Sequence, residues 1–433
     1  MAELIKICTC TIISVLVAIR PSLCANILVI LPTSARSHLI IFESILQTLA
    51  TEHEVTFYSV YPLNKQHTNI TEHRFVPSYT RPDLKPLMQH TLNKDPQLQI
   101  ISMFNHFSVK HFNYVLSQDT FQQLLNSTKK YEVFITSNVL GEPFFKFSHA
   151  LNVSLVVQIS VSLLHPWTNA DIGNDNNLAH GMYFLSKDVS TNFFSRITNF
   201  VNHMYVWLYY EWLHLPNLEY NIQKHFPQNT PTIKQIVRQT QGVLLNIVSP
   251  MGYAQANSPN VHEFGGLQCH PPKPLSTELE NFISGSGQHG FIYFSLGGTF
   301  INSQIAKLKG YGRVLKFNQF TEEIFRSNIE EIILNEKYKN KAKQTSEAMR
   351  DHCDGNADRL KRFINYLIKH KDSSPLRPIT KPQSQIHLMQ LDIYAFILCI
   401  LAICFIIIKY IFKKLYNCIT DLYYFRLNKV KVI

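Results

Sequence analysis

The chain has 433 residues, 45% hydrophobic and 16% charged, which excludes a disordered or fibrous protein and leaves room for two domains with accessory segments. Its formal net charge of +11 raises nucleic-acid binding, yet the excess is badly placed for it. The last 25 residues hold Lys409, Lys413, Lys414, Arg426, Lys429 and Lys431 against Asp421, a net of +5, and the remainder is diffuse with no Arg/Lys run among aromatics, so no nucleic-acid partner is expected.

Lys6, an apolar run from Ile7 to Ile19, and small residues Ser22 and Cys24 before Ala25 fit a cleaved secretory signal over 1–24. A first transmembrane helix is the alternative, although the run is short for a bilayer. Asn26 to Leu31 then reads as a buried strand, followed by a loop from Pro32 to His38, a helix periodic through Ile41, Ile45, Leu46 and Leu49, and a second strand from Glu54 to Val60. This βαβ opening predicts a parallel sheet covered by helices. Further strands are expected at Tyr131 to Thr136 and Ser154 to Ile159.

A helix through Phe193, Ile197, Phe200, Met204, Trp207 and Leu208 and on to Trp212 carries apolar residues at helical spacing. Packing into the core and contact with a membrane or a greasy substrate are both open. A second α/β unit is expected to open at Gly242-Val243-Leu244-Leu245-Asn246, with a strand at Gly290 to Leu296. Helices follow at Glu322 to Asn335 behind a Thr321 cap, at Tyr338 to Asp351 and at Leu360 to His370.

Ile393 to Phe412 is apolar apart from Lys409, whose ammonium can reach the interface, and so predicts a transmembrane helix. The basic residues after it place 413–433 in the cytosol and the bulk in the lumen. Lys429 and Lys431 are similar to dilysine signals that return membrane proteins to the endoplasmic reticulum, although two lysines in a basic tail also arise by chance. Three sequons, at Asn69, Asn126 and Asn152, fall in the expected lumenal part. Only Cys269 and Cys353 lie there too, where a disulfide is open but not required, and no His/Cys cluster argues for a metal.

Taken in order, these pieces resemble the animal UDP-glycosyltransferases, the UDP-glucuronosyl/glucosyltransferase family. The likeness runs from Ala25 to Lys414 and is carried by Leu31-Pro32-Thr33-Ser34-Ala35-Arg36-Ser37-His38, His53-Glu54-Val55-Thr56, Gly265-Gly266-Leu267, Phe291-Ile292-Tyr293-Phe294-Ser295-Leu296-Gly297 and Thr321-Glu322-Glu323. The resemblance implies an α/β fold of two Rossmann-like domains of the GT-B type and one C-terminal transmembrane helix. It implies transfer of a hexosyl group from a UDP-sugar to a small lipophilic hydroxyl acceptor, with no cofactor beyond that co-substrate. His38, on the first βα loop, is the implied general base, since imidazole can take a proton near neutrality and later release it. Ser295 and Gly297 are the implied donor contacts at a strand end.

Two departures follow. The carboxylate that supports the family's histidine falls at Ser137 or Asn138, neither of which carries charge, and Glu142 is the nearest downstream acid. The family's His-Gly-Gly donor signature, which offers a helix N-terminus to a diphosphate, has no match after Gly297. Only twelve positions separate Gly297 from Lys309, whereas a βαβ unit needs about 30 residues. The expected organisation is therefore a signal at 1–24, an acceptor domain at 25–241, an incomplete donor domain at 242–352, helices at 353–390 returning to the first domain, a membrane helix at 393–412 and a cytosolic tail. The alternative function is a non-catalytic lumenal protein that binds hydrophobic ligands or pairs, as a homo- or hetero-oligomer, with intact relatives.

Overall fold

The computed structural model describes residues 24–78, 109–139, 141–161, 164–174, 192–250, 256–269, 274–287, 306–307, 309–315, 320–371, 375–376 and 390–430. The expected signal, except Cys24, and the strand at Gly290 to Leu296 lie outside the described residues. The chain forms two compact units, Met1–Lys381 and Pro382–Ile433.

The first unit is built on β1 (Asn26–Ile30), α1 (Arg36–Leu49), β2 (Glu54–Ser59), β3 (Ile70–Arg74), a helix α2 at 109–116, β4 (Val133–Ser137) and β5 (Leu155–Ser160). There follow α3 (Pro166–Ile172), α4 (Phe193–Tyr209), a π-helical turn (Tyr210–His214), α5 (Leu215–Ile222), α6 (Ile233–Val237), β6 (Gly242–Leu245) and β7 (Val261–Glu263). The seven strands among the described residues join one parallel sheet in the order β3-β2-β1-β4-β5-β6-β7. Both faces are covered, which is why the central strands read as continuous apolar runs rather than alternating ones. Leu28, Ile30, Phe134 and Val156 enter one core with Phe121, Phe144, Phe147 and Leu218. Ile27, Val29, Val133, Ile135 and Val157 enter the other, against Phe42, Ile45 and Leu46 of α1.

Two expectations are corrected. Gly242–Leu245 does not open a second sheet: it pairs with β5 from Val157↔Gly242 to Ser160↔Leu245, closing an edge that β5 would otherwise expose. The first domain thus extends at least through β7, well past residue 241. The two outer strands, β3 and β7, escape the apolar pattern because their residues are half-exposed or exposed at the sheet margins. In α4, where core packing and an outward contact were both open, the buried face holds Asn199, His203, Val206 and Trp207, and Phe193, Ile197 and Phe200 face out.

Beyond β7 the described helices are α7 (Thr277–Ser284), α8 (Glu322–Leu334), α9 (Glu336–Cys353) and α10 (Asn356–Lys369). The Thr321 hydroxyl caps α8 by accepting from the Ile324 amide at 3.2 Å. None of α7, α8 and α9 buries a residue fully. Helix α10 does: Leu360, Ile364 and Leu367 insert into the α1 face of the sheet, while Asn365 donates to Glu52 at 2.7 Å. Cys269 and Cys353 are free thiols.

The second unit is one helix, α11 (Leu391–Val430), whose apolar stretch within Leu391–Thr420 reaches a mean hydropathy of 2.9 over 18 residues. It is long and apolar enough to cross a membrane, since about 20 such residues suffice.

Candidate functional site

From β1 the chain steps to β2 and β3 on one side and to β4 through β7 on the other, so the strand order reverses between β1 and β4. In parallel α/β sheets the loops at such a point splay apart at the carboxyl ends of the strands and leave a crevice for a ligand. The loop after β1 runs through Leu31 to Ala35 into α1, and His38 is the third residue of that helix. Its Nδ1 shares a 2.9 Å hydrogen bond with the Thr33 hydroxyl. Thr33 is itself buried, so the loop fixes the imidazole rather than leaving it to swing in solvent. Burial lowers the His38 pKa to about 4, which keeps the ring neutral and able to accept a proton at neutral pH.

Neighbouring loops close around this point. A Cβ on Gly141 would lie 1.8 Å from the Ser137 carbonyl oxygen, so only glycine lets the turn after β4 close back on the end of its own strand, where it sits beside Pro32 of the loop after β1. The Arg36 guanidinium sits 4.5 Å from the ring centre of Tyr61, tying the start of α1 to the loop after β2. His111 of α2 was missed by the sequence reading. It hydrogen-bonds the Pro32 carbonyl and shares a 2.8 Å bond with the Ser78 hydroxyl, and burial lowers its pKa to about 4 against the opposing pull of that carbonyl. No local pattern marks it, because it comes from a helix more than 70 residues further along the chain.

The positions expected to carry the supporting acid are uncharged and turned to other work. The Ser137 hydroxyl accepts from the Val139 amide at 3.0 Å. Asn138 is buried, and neither its Oδ1 nor its Nδ2 finds a hydrogen-bond partner among the described residues. With Glu142, Gln158, Trp167, Thr168, Asp171 and Tyr210 it faces a small internal cavity that leaves about 10 Å³ for the centre of a water, room for one molecule. Glu142 is buried there and desolvation raises its pKa to about 7, offset in part by backbone amides of Gly141 and its own residue. Asp171 is raised to about 6 by burial, against Lys234 and a 3.0 Å ion pair with Arg238. His38 is not among the residues that line this cavity.

Of the remaining predicted positions, Ser295 and Gly297 lie outside the described residues. Asn69, Asn126 and Asn152 are all exposed, Asn152 with a left-handed backbone at φ 53°.

The parallel sheet with helices on both faces defines an α/β protein of the doubly wound class. The sequence matches the family profile described as UDP-glucoronosyl and UDP-glucosyl transferase over residues 25–308 and 298–422, and the chain belongs to that family. Among curated relatives, UDP-glycosyltransferase UGT4 of Dactylopius coccus is 27% identical over 303 residues, 66% of this chain and 57% of that protein. UDP-glucuronosyltransferase 2B17 of Rattus norvegicus is 33% identical over 104 residues, 22% of this chain and 19% of its own. The chain thus spans 57% of the length of the first of these relatives. Among solved structures, a UDP-glucosyltransferase from Polygonum tinctorium aligns at a TM-score of 0.45 and 11% identity over 81% of this chain and 99% of its own.

Proposed function

We propose that the first unit binds a small lipophilic hydroxyl compound in the crevice between the β1 and β4 loops, and that His38 is the base for hexosyl transfer to it from a UDP-sugar. The observation that carries this reading is the placement of His38 at the switch point of the sheet, held by Thr33. In the tautomer where Nδ1–H donates to the Thr33 hydroxyl, Nε2 keeps its lone pair for the acceptor's O–H proton. The acceptor oxygen then bonds to the anomeric carbon as the bond to the diphosphate breaks and UDP leaves with the electron pair. A neutral environment around the forming imidazolium makes His38 a weaker base than one backed by a carboxylate.

Donor binding is assigned to the segment after β7, with Ser295 and Gly297 as phosphate contacts. The family match divides at 298–308, the stretch in which the sequence spacing leaves no room for the donor signature. That division supports a second reading, in which this chain is a non-catalytic member that retains acceptor binding and pairs with intact relatives. The basic residues following the apolar helix support a lumenal body with an endoplasmic reticulum anchor, and the exposed sequon asparagines suit glycosylation there.

Calorimetry of UDP-glucose with the detergent-solubilised chain, beside a version with a full donor segment grafted between Gly298 and Lys309, separates the two. Binding and transfer by the native chain, abolished by His38→Ala, establish the enzyme. Binding only by the graft leaves the non-catalytic reading in place.

A further inference from the structure

Two cysteines meet where the chain comes back to the sheet ahead of α10. The turn after β7 runs through Gly265, Gly266 and Leu267 to Cys269, whose amide donates to the Gly266 carbonyl at 2.9 Å. A bond across four residues brings the first and last Cα atoms within about 7 Å of each other. Cys353, the last residue of α9, lies over the same turn: its thiol donates to the Gly265 carbonyl at 3.3 Å, and a Cβ added to Gly266 would lie 2.1 Å from its Sγ. The space left by the absent side chain of Gly266 is therefore where the Cys353 thiol sits. Burial raises the Cys353 pKa and the neighbouring Cys269 raises it further, against an opposing pull from Arg359. Cys269 is exposed and Cys353 half-buried. A disulfide spans Cα atoms about 4.4–6.8 Å apart, a separation reached by turning the exposed Cys269 side chain and drawing the end of α9, which buries no residue fully, onto the turn.

We propose that Cys269 and Cys353 form a disulfide, closed by exchange with an external disulfide of the glutathione type. The proposal rests on the lumenal reading of the first unit, since such bonds persist in oxidising compartments. The exposed Cys269 thiolate attacks one sulfur of the external disulfide, and the other sulfur leaves as a thiolate. Cys353 then gives its proton to water, attacks the Cys269 sulfur and expels the second thiolate. Two cysteine thiols become one disulfide and the external disulfide becomes two thiols, so two electrons and two protons pass between them. The Gly265 carbonyl, which loses the Cys353 donor, keeps the Asn356 side-chain amide at 2.8 Å. From Cys269 to Cys353 is a step of 84 positions that contains α7, α8 and nearly all of α9, none of which buries a residue fully. Closing a long loop removes more freedom from the unfolded chain than closing a short one. The bond thus fixes both ends of this loosely packed segment to the body, directly ahead of the helix that inserts Leu360, Ile364 and Leu367 into the core.

The detergent-solubilised full chain is equilibrated at pH 8 with oxidised and reduced glutathione, alkylated, digested without reduction and read by mass spectrometry. The expected result is a linked peptide pair holding Cys269 and Cys353, formed within a monomer, lost on reduction and absent from Cys269→Ser and Cys353→Ser. Each serine variant should melt with the reduced parent chain, so that loss of the link does not come from unfolding. Separate glutathione adducts on Cys269 and Cys353 with no linked pair overturn the proposal, as does a disulfide that joins Cys269 of two copies instead. In a second arm the chain is expressed in cultured animal cells and alkylated before lysis, and an endoglycosidase shift reports glycans on Asn69, Asn126 or Asn152. A glycosylated chain with the linked pair supports the proposal, and a glycosylated chain with both thiols free overturns it. An unglycosylated chain places the fault with the lumenal reading, and the glutathione arm then decides the pair by itself.

Discussion

Replacing Glu142 by Gln isolates the energetics of the buried polar cluster beside the crevice. The carboxyl is 5% exposed, its Oε1 has no hydrogen-bond partner among the described residues, and its pKa is raised from 4.5 to about 7 with desolvation as the leading cause. A folded-state pKa above the unfolded one means that the folded chain binds the proton more tightly, so stability is lost as pH rises from 4.5 through about 7. At about 1.4 kcal/mol per pH unit, the interval from 4.5 to about 7 amounts to about 3 kcal/mol of destabilisation once the carboxyl has ionised. Glutamine has the same shape and no charge to desolvate. The two proteins should therefore be equally stable near pH 4.5, and Glu142→Gln should be more stable by about 3 kcal/mol at pH 8, or about 6–12 °C in melting temperature. Melting curves in detergent between pH 5 and 8, followed by intrinsic fluorescence, read this difference directly. Parallel pH dependence of the two proteins would refute the reasoning, since it would mean that the carboxylate is hydrated in the folded state.

Three further outcomes follow from the packing and the crevice. Ile364→Ala should destabilise the first unit by about 2–5 kcal/mol, because α10 inserts this fully buried side chain into the sheet's α1 face, and limited proteolysis of strands β1 to β6 should accelerate with it. Gly266→Ala should loosen α9, since the backbone there has φ +86° and the added Cβ would meet Cys353 Sγ at 2.1 Å; faster alkylation of Cys353 would report it. If the grafted chain transfers sugar, its rate should stay level between pH 6 and 8, because His38 with a pKa of about 4 is already neutral throughout that range. A rate that halves around pH 6.5 would show an ordinary, solvated imidazole instead.

Much of the fold was legible because its central strands are buried on both faces. Asn26–Ile30, Glu54–Ser59, Val133–Ser137, Leu155–Ser160 and Gly242–Leu245 all read as short apolar runs, and the structure finds a strand at each. The Thr321 cap was legible for a related reason, since a hydroxyl before a helical period has one local use. The site was half legible: the loop motif ending in His38 stood out, while the buried cavity of Glu142, Asn138 and Asp171 did not, because its members come from separate loops and helices.

The sequence by itself determined the local conformations, the apolar helix at Leu391–Thr420 and the position of His38 just beyond the loop after β1, since each depends on neighbours a few positions away. Only the tertiary structure decided that Gly242–Leu245 extends the first sheet, because a strand buried on both faces carries no mark of which partner it will pair with. It likewise decided that α4 turns Asn199 and His203 inward and its phenylalanines outward, a choice set by what the rest of the domain offers that helix and not by the helix's own periodicity.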